Sequence, residues 1–221
     1  METITCIQNR RTIRKFLPKP VPKETIKEII SEALWAPSWG NTQPWEFMVV
    51  SGPLMDKFKN ENRNALMSGA NSKPDIQMPE KWPDAMKSRY KDVGRTLFNS
   101  LSIARDDVEA RTNYYGEMFN LFDAPAMLLV LLDESLLLEY AMLDVGLFMQ
   151  TFMLLACDRG LGTAALAASV HFPQVARKVL PIPAEKHLAI GAAIGWPDIA
   201  APINLFERRR ADLDELITWV K

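Results

Sequence analysis

An apolar run followed by a long apolar helical stretch constrains the fold of this chain most. Residues 126–132 (AMLLVLL) have the length of a strand and lie between Pro125 and Asp133, so they predict a strand of the core. Residues 135–158 predict the longest helix, apolar on nearly all sides, and we expect it to form the centre of the domain. With 221 residues the chain fits one domain that buries a substantial core.

Shorter elements are predicted on both sides of this pair. Apolar spacing, with Pro and Gly as boundaries, predicts helices over residues 3–10, 23–36, 84–101, 105–119 and 172–180 and strands over 46–51 and 188–196. Residues 54–58 predict the start of a further helix, and the stretch 67–83, rich in Gly, Asn, Pro and Met, predicts a loop. Residues 213–220 predict a terminal amphipathic helix or arm.

Composition and charge exclude several classes of function. The formal net charge is −1, so no global positive field is available for nucleic acid or an anionic membrane. Cys6 and Cys157 match no metal spacing, and His171 and His187 are too few and too distant for a zinc site. No leader sequence and no apolar run of about 18 residues is found. We expect a cytoplasmic protein without metal, nucleic acid or membrane partners.

The segment PSWGNTQPW at residues 37–45 joins a predicted helix to a predicted strand. Ser38 offers a hydroxyl, Asn41 and Gln43 offer amides, and Trp39 offers a flat apolar surface. Taken alone, the segment fits either a helix-to-strand turn or a loop that binds a polar ligand.

Two basic clusters lie near opposite ends of the chain, RRTIR at residues 10–14 and RRR at 208–210. Arginine binds phosphate well because its fork bonds two oxygens at once. In an extended chain Arg10, Thr12 and Arg14 point the same way, which puts two guanidinium groups and a hydroxyl on one surface. The first cluster predicts either a phosphate site or a solvated basic linker.

Taken together, these motifs resemble the FMN-dependent nitroreductase family. The resemblance spans almost the whole chain in the family's order. Its pieces are RRTIRKF at 10–16, PSWGNTQPW at 37–45, FDAP at 122–125, GLGT at 160–163, IGAAIGWP at 190–197 and RRRADLDEL at 208–216.

The resemblance implies an α+β fold with three layers, α/β/α, around a central, mainly antiparallel sheet. It also implies a domain-exchanged homodimer with two FMN sites at the subunit interface. Residues 1–221 would form a single FMN-binding domain. A lid or insertion would cover about residues 60–122, and a C-terminal arm of about 200–221 would reach across to the partner.

The resemblance also assigns residues to FMN. Arg10, Thr12 and Arg210 look like phosphate ligands with Arg208 nearby, and Arg14 looks like the cation at the pyrimidine end of the flavin. The remaining cofactor-binding candidates are Arg11, Pro37, Ser38, Trp39, Asn41, Gln43, Ala165, Leu166, Ala167 and Ala168.

The resemblance implies a more specific role for two groups of these candidates. Ser38, Asn41 and Gln43 look like contributions from the other subunit, and residues 165–168 look like backbone lying along the flavin. Family members often carry a carboxylate where this chain has Ala167, so a side-chain role at that position is in doubt.

Aromatic residues of the insertion are candidates for stacking on a planar substrate. The alternative is that they pack the lid and the dimer interface. The candidates are Trp82, Tyr114, Tyr115 and Phe119, with Arg89, Arg95 or Arg111 as groups that bind a carboxylate or nitro group.

The implied activity is the transfer of two electrons from NAD(P)H to nitroaromatic, quinone or related aromatic acceptors by a ping-pong mechanism. No side chain is expected to be catalytic, because the flavin carries the redox chemistry. Arg14 would tune it by favouring the reduced, anionic flavin. Alternatives are reductive dehalogenation or another reduction of a small aromatic substrate, cleavage of the flavin, or a flavin-binding protein for storage or sensing.

Overall fold

In the computed structural model, which describes residues 2–221, the strands form one four-stranded sheet. Its strands are β1 (Trp45–Ser51), β2 (Ala126–Asp133), β3 (Gly162–Leu166) and β4 (Lys186–Gly195). The order across the sheet is β1-β2-β4-β3, and every neighbouring pair is antiparallel. The predicted antiparallel sheet is therefore confirmed, with β3 at one edge.

The helices match the predicted segments within a few residues. They are α1 (Thr3–Asn9), α2 (Lys23–Ala33), α3 (Gly52–Met67), α4 (Asp84–Ser100), α5 (Val108–Phe119), α6 (Leu138–Asp158) and α7 (Pro173–Val179). Short 3-10 turns occupy residues 39–41, 121–123, 167–169, 202–204 and 213–215.

Strand β2 is apolar throughout because both faces of the sheet are covered. Met127, Leu129 and Leu131 lie in the core layer that contains residues of α3, α5 and α7. The alternate residues, such as Leu128 and Val130, lie in the second core layer, with α2 and α6. Successive strand residues point to opposite faces of the sheet, so one run of apolar residues packs into both core layers. The three-layer α/β/α architecture is confirmed.

Helix α6 buries one face only, contrary to the expectation that it fills the centre of the domain. Phe148 and Phe152 are fully buried against the sheet, whereas Leu143 is 58% and Leu147 39% exposed. Among the helices of residues 2–221, α6 alone has the length and apolar composition of a membrane span, a test that core helices also pass. Leu143 and Leu147 therefore leave part of an apolar face of α6 open.

Residues 213–220 do not form an amphipathic helix, which was one of the two structures expected for them. Their single regular element is the turn at residues 213–215. Trp219 and Val220 are largely exposed, so this segment buries little apolar surface against its own chain. An ion pair of 3.7 Å between Arg89 and Glu215 connects the segment to α4.

Candidate functional site

Residues 10–16 lie along the edge strand β3. The N–H of Ile13 donates to the carbonyl of Thr163 at 2.9 Å. Phe16 forms an antiparallel bridge with Pro197, just after the end of β4. Gly162 permits this close approach, because a Cβ there would lie 2.5 Å from Cγ1 of Ile13. The buried side chains of Ile13 and Phe16 thus hold the basic segment against the sheet.

The two basic clusters meet around one cavity of about 140 Å³. Arg208 joins them directly, since its guanidinium donates to the carbonyl of Arg10 and, at 2.5 Å, to that of Gln8. Arg11 donates to the carbonyl of Phe206 at 2.5 Å. The cavity is lined by Arg10, Arg11, Thr12, Arg14, Val93, Phe206, Glu207, Arg208, Arg209 and Arg210.

Positive charge in this cavity is poorly neutralised by the protein. Burial lowers the pKa of Arg10 below its ordinary value, and the neighbouring Arg208 and Arg210 lower it further. Burial also lowers the pKa of Arg11. Within residues 2–221, Arg209 is the one arginine of the cavity that has an ion-pair partner, Glu207 at 3.2 Å. Crowded guanidinium groups without carboxylates suit an anion with several oxygens, such as a phosphate.

Arg14 lies next to this cluster and faces the insertion. Its N–H donates to Oδ1 of Asn204 at 2.7 Å, and its guanidinium lies 5.5 Å from the ring of Phe206. Burial raises the pKa of Tyr114, and the positive charge of nearby Arg14 opposes that rise. Arg14 is therefore a fixed cation between the basic cavity and the aromatic residues of α5.

Sequence reasoning missed Asn204, which holds this region together. Its buried side chain accepts from Arg14 and donates to the carbonyls of Lys15 and Asp198, at 2.8 and 2.9 Å. No local pattern marks it, since an asparagine beside Pro202 also fits an ordinary turn.

Beyond Thr163 the same strand edge presents a surface of small side chains. Ala165 and Ala167 are exposed, whereas Leu166 and Ala168 are buried. Methyl groups leave room for a flat ring to approach the backbone. The alanine at position 167 keeps this surface open.

The loop over residues 37–45 is anchored to α6. Both oxygens of Asp144 accept the main-chain N–H of Trp39, at 3.1 and 3.2 Å. Ser38 Oγ accepts the N–H of Gln43 at 3.0 Å, and Gln43 in turn donates to Oδ1 of Asn41 at 3.3 Å. Asn41 and Gln43 adopt positive φ angles of 58° and 48°. The loop is thus held in one shape, with its polar residues near the surface.

The loop and the basic cavity lie at different ends of α6. The loop contacts α6 at Asp144, which accepts the N–H of Trp39. Helix α1, which leads into Arg10, contacts α6 near its other end, where Cys6 donates to the carbonyl of Leu154 at 3.1 Å. Asp144 and Cys157, which borders a cavity beside Arg10, are about 20 Å apart along the helix at ~1.5 Å per residue. One chain therefore does not bring Pro37, Ser38, Asn41 or Gln43 to the arginines.

The four aromatic residues proposed to bind substrate occupy three different environments. Tyr114 and Tyr115 pack on each other and on Phe98, with ring centroids 5.1–6.3 Å apart. Phe119 is buried against Phe172 and His171 and forms part of the core. Trp82 lies half exposed in the loop before α4. Tyr114 is the member of this set that lies near Arg14.

The part of the chain that the structure describes contains no group of three or more His, Cys, Asp or Glu residues placed to hold a metal ion. The polar groups of the site are guanidinium groups, amides, hydroxyls and backbone. This donor set suits an anionic organic cofactor better than a metal.

Comparisons with known proteins agree with this geometry. The model of the Nitroreductase family matches residues 7–196. The chain is 33% identical to the chloronitrobenzene nitroreductase of Comamonas testosteroni, over 97% of this chain and 95% of that protein. It is 31% identical to a 4-nitrobenzoate reductase of Pseudomonas putida, over 90% and 86% of the two chains.

A solved structure is similar over its entire length. It is the FMN and NADPH-dependent nitroreductase NfnB from Sphigopyxis sp. strain HMH, with a TM-score of 0.95, 30% sequence identity and coverage of 100% of both chains. The family match, the identity and the shared fold lead to one conclusion: this chain is a member of the nitroreductase family.

Proposed function

We propose that this protein is an FMN-dependent oxidoreductase that passes two electrons from NAD(P)H, with NADPH as the expected donor, to nitroaromatic, quinone or related aromatic acceptors. The names of its relatives support nitroaromatic acceptors, and the similar NfnB structure supports FMN and NADPH. One observation carries the proposal. Arginines without an ion-pair partner among residues 2–221 line one cavity together with Arg14, on a segment that pairs with β3, and the exposed Ala165 and Ala167 lie on or just after that strand.

The residues of the site fit the parts of FMN in that order. Arg10, Thr12, Arg208 and Arg210 offer guanidinium forks and a hydroxyl for the phosphate. The charge of a phosphate dianion offsets the repulsion that lowers the pKa of Arg10. The exposed methyl groups near residue 167 leave space for the planar ring system.

Bound FMN would supply the redox chemistry that connects the nicotinamide donor to the aromatic acceptor. The protein contributes binding, orientation and charge. Arg14 places a fixed positive charge beside the flavin and favours its reduced, negatively charged form. Tyr114 and Tyr115 border the space where donor and acceptor bind in turn, and the insertion limits access of water.

The proposed enzyme is a homodimer with two composite sites. The distance along α6 supports this, because Ser38, Asn41 and Gln43 reach a flavin only if it is held by the arginines of a second copy. The exposed apolar face around Leu143 supplies a surface for that contact. We further assign residues 1–221 to one domain, with a lid at about 60–122 and an arm at about 200–221 that exchanges between subunits.

We place the protein in the cytoplasm. Its two cysteines, Cys6 and Cys157, are both free thiols, as expected in a reducing compartment.

Purified protein tests the proposed activity directly. The expected result is a yellow, FMN-loaded dimer that is bleached by NADPH under anaerobic conditions and regains its colour on addition of nitrobenzene or a quinone. A failure of both NADPH and NADH to bleach the flavin contradicts the reductase and leaves the storage or sensing alternative. Bleaching with release of halide from a halogenated aromatic, but without oxidation by nitrobenzene, identifies a reductive dehalogenase instead.

A further inference from the structure

Asn62 lies on α3 with its side chain completely buried, at 0% exposure. Its Nδ2 group donates to the carbonyl of Phe119 at 2.7 Å and to the carbonyl of Ala168 at 3.1 Å. Both partners are acceptors, so the NH₂ end of the amide must face them. Oδ1 of Asn62 has no hydrogen-bond partner among residues 2–221. A buried acceptor left unpaired costs free energy, which the two donated bonds offset.

The two carbonyls belong to parts of the molecule with different proposed roles. Phe119 is the last residue of α5, the helix that carries Tyr114 and Tyr115. Ala168 lies in the turn over residues 167–169, which follows β3 and borders the open alanine surface. One side chain of α3 therefore connects the end of the proposed lid to the backbone proposed to face the flavin.

The chain leaving α5 needs this support because its backbone is unusual. Leu121, Phe122 and Asp123 all have positive φ angles, of 52°, 54° and 54°. Such left-handed conformations are unfavourable for residues with a side chain. Lys59, one helical turn before Asn62, is also buried and donates to Oδ1 of Asp123 at 2.6 Å. Two buried polar residues of α3 thus hold the segment that ends the insertion.

The turn over residues 167–169 is fixed from a second side. Ser169 Oγ donates to the carbonyl of Leu166 at 2.6 Å, and a Cβ on Gly191 would lie 2.4 Å from that hydroxyl oxygen. The hydrogen bond from Asn62 draws the Ala168 carbonyl toward α3. Because a peptide group is planar, the direction of that carbonyl also sets the direction of the following N–H.

We propose that Asn62 is a positioning residue that couples the lid helix α5 to the flavin-facing turn at residues 167–169 through its two donated hydrogen bonds. The inference rests on the proposed flavin function. Removal of the donors releases both segments, so the midpoint potential of bound FMN and the affinity for an aromatic acceptor change together. A residue that only fills space would change the stability alone.

Variants at Asn62 and a control on the same helix test the proposal. Asn62→Leu keeps the branched shape and the number of side-chain heavy atoms but removes both donors, Asn62→Ser keeps one hydroxyl donor, and Asn64→Leu changes an exposed asparagine nearby. The first readout is amide hydrogen exchange over residues 119–123 and 167–170 in protein freed of FMN. We expect roughly tenfold faster exchange in both segments for Asn62→Leu, a smaller increase for Asn62→Ser and none for Asn64→Leu.

The second readout is the holoenzyme. We expect Asn62→Leu to shift the midpoint potential and the visible spectrum of bound FMN, and to raise KM for nitrobenzene by more than it lowers kcat. The proposal is overturned if folded Asn62 variants keep wild-type exchange, potential and KM, even if they melt at a lower temperature. If Asn62→Leu does not fold, Asn62→Ser carries the same comparison.

The two proposals can fail separately. A wild-type protein that is not reduced by NADPH contradicts the proposed function, while the exchange measurement still decides whether Asn62 couples the two segments.

Discussion

The carboxylate of Asp144 accepts the main-chain N–H of Trp39 with both of its oxygens, at 3.1 and 3.2 Å. Asp144 is only 4% exposed, so this hydrogen bond forms away from bulk water. It ties the loop at residues 37–45 to one end of α6, while the basic cavity lies near the other end. The arrangement separates two halves of the proposed flavin site within each chain.

Replacement of Asp144 is expected to loosen that loop. Asp144→Ala leaves the N–H of Trp39 without its partner and lowers the free energy of unfolding by about 1–3 kcal/mol. The affinity for FMN falls as well, since the loop no longer presents Ser38 and Asn41. Urea denaturation and FMN titration measure the two effects. Asn at position 144 keeps an acceptor oxygen, so equal losses in Asp144→Asn and Asp144→Ala would contradict this explanation.

Arg208→Ala is expected to weaken FMN binding by roughly 10- to 100-fold, because a charge-assisted bond to phosphate is worth about 1.5–3 kcal/mol. Arg209→Ala is the matched control, since the charge of Arg209 is already balanced by Glu207. Fluorescence titration with FMN and with riboflavin, which lacks the phosphate, distinguishes the contribution of the phosphate contact from that of the other contacts of the cofactor. A loss that is as large for riboflavin as for FMN would show that Arg208 acts through the fold, where it binds the carbonyls of Gln8 and Arg10.

Arg14→Ala is expected to lower the two-electron midpoint potential of the bound flavin while FMN remains bound. The lost positive charge no longer favours the reduced anion, and each tenfold change in that preference corresponds to about 30 mV. We expect a decrease of roughly 30–60 mV. Lys15→Ala removes an exposed cation from the adjacent position and serves as the control. Spectroelectrochemistry measures the potentials, and an unchanged value in Arg14→Ala refutes the assigned role.

Leu143→Asp is expected to produce a monomer without flavin. A carboxylate on the exposed face of α6 is costly to bury in a subunit interface. Leu54→Asp makes the same change at an exposed leucine of α3, on the other side of the sheet, and should leave the dimer intact. Light scattering after size-exclusion chromatography gives the mass of each variant. A dimeric Leu143→Asp protein would place the interface elsewhere.

Gly162→Ala is expected to displace the basic segment from the sheet edge. The new methyl group would lie 2.5 Å from Cγ1 of Ile13, close to the backbone, where it cannot move aside easily. We expect a loss of about 1–3 kcal/mol in stability together with weaker FMN binding. Gly94→Ala has no atom within 4 Å of its added Cβ and replaces a helical glycine, so it should stabilise the protein slightly. Thermal melts with and without FMN compare the two.

The order of the helices and of β1, β2 and β4 could be predicted because these elements depend on local patterns, whereas the short edge strand β3 was not predicted. The apolar run that became β2 is bounded by Pro125, and Gly160, with φ of 72°, ends α6 as its position predicts. The exposed face of α6 was not predictable in this way. Hydrophobic spacing shows that a face is apolar, but it does not show whether the covering surface comes from the same chain or another.

The candidate site could be predicted in part for a similar reason. Charge and spacing made Arg10 a candidate for phosphate binding, and only the family resemblance suggested that Arg208 belongs to the same site. Asn62 and Asn204 escaped prediction because their side chains donate to backbone carbonyls far away in sequence, those of Ala168 and Lys15, which leave no local pattern.

The separation of loop and arginines along α6 has a consequence for how the cofactor is retained. If a complete flavin pocket exists only where two chains meet, FMN and the second chain strengthen each other's binding by the same factor. Dilution of the enzyme then releases flavin as subunits part, and added FMN draws the subunits together again. A newly made chain would stay colourless until it encounters a second copy, so the appearance of the yellow colour reports assembly.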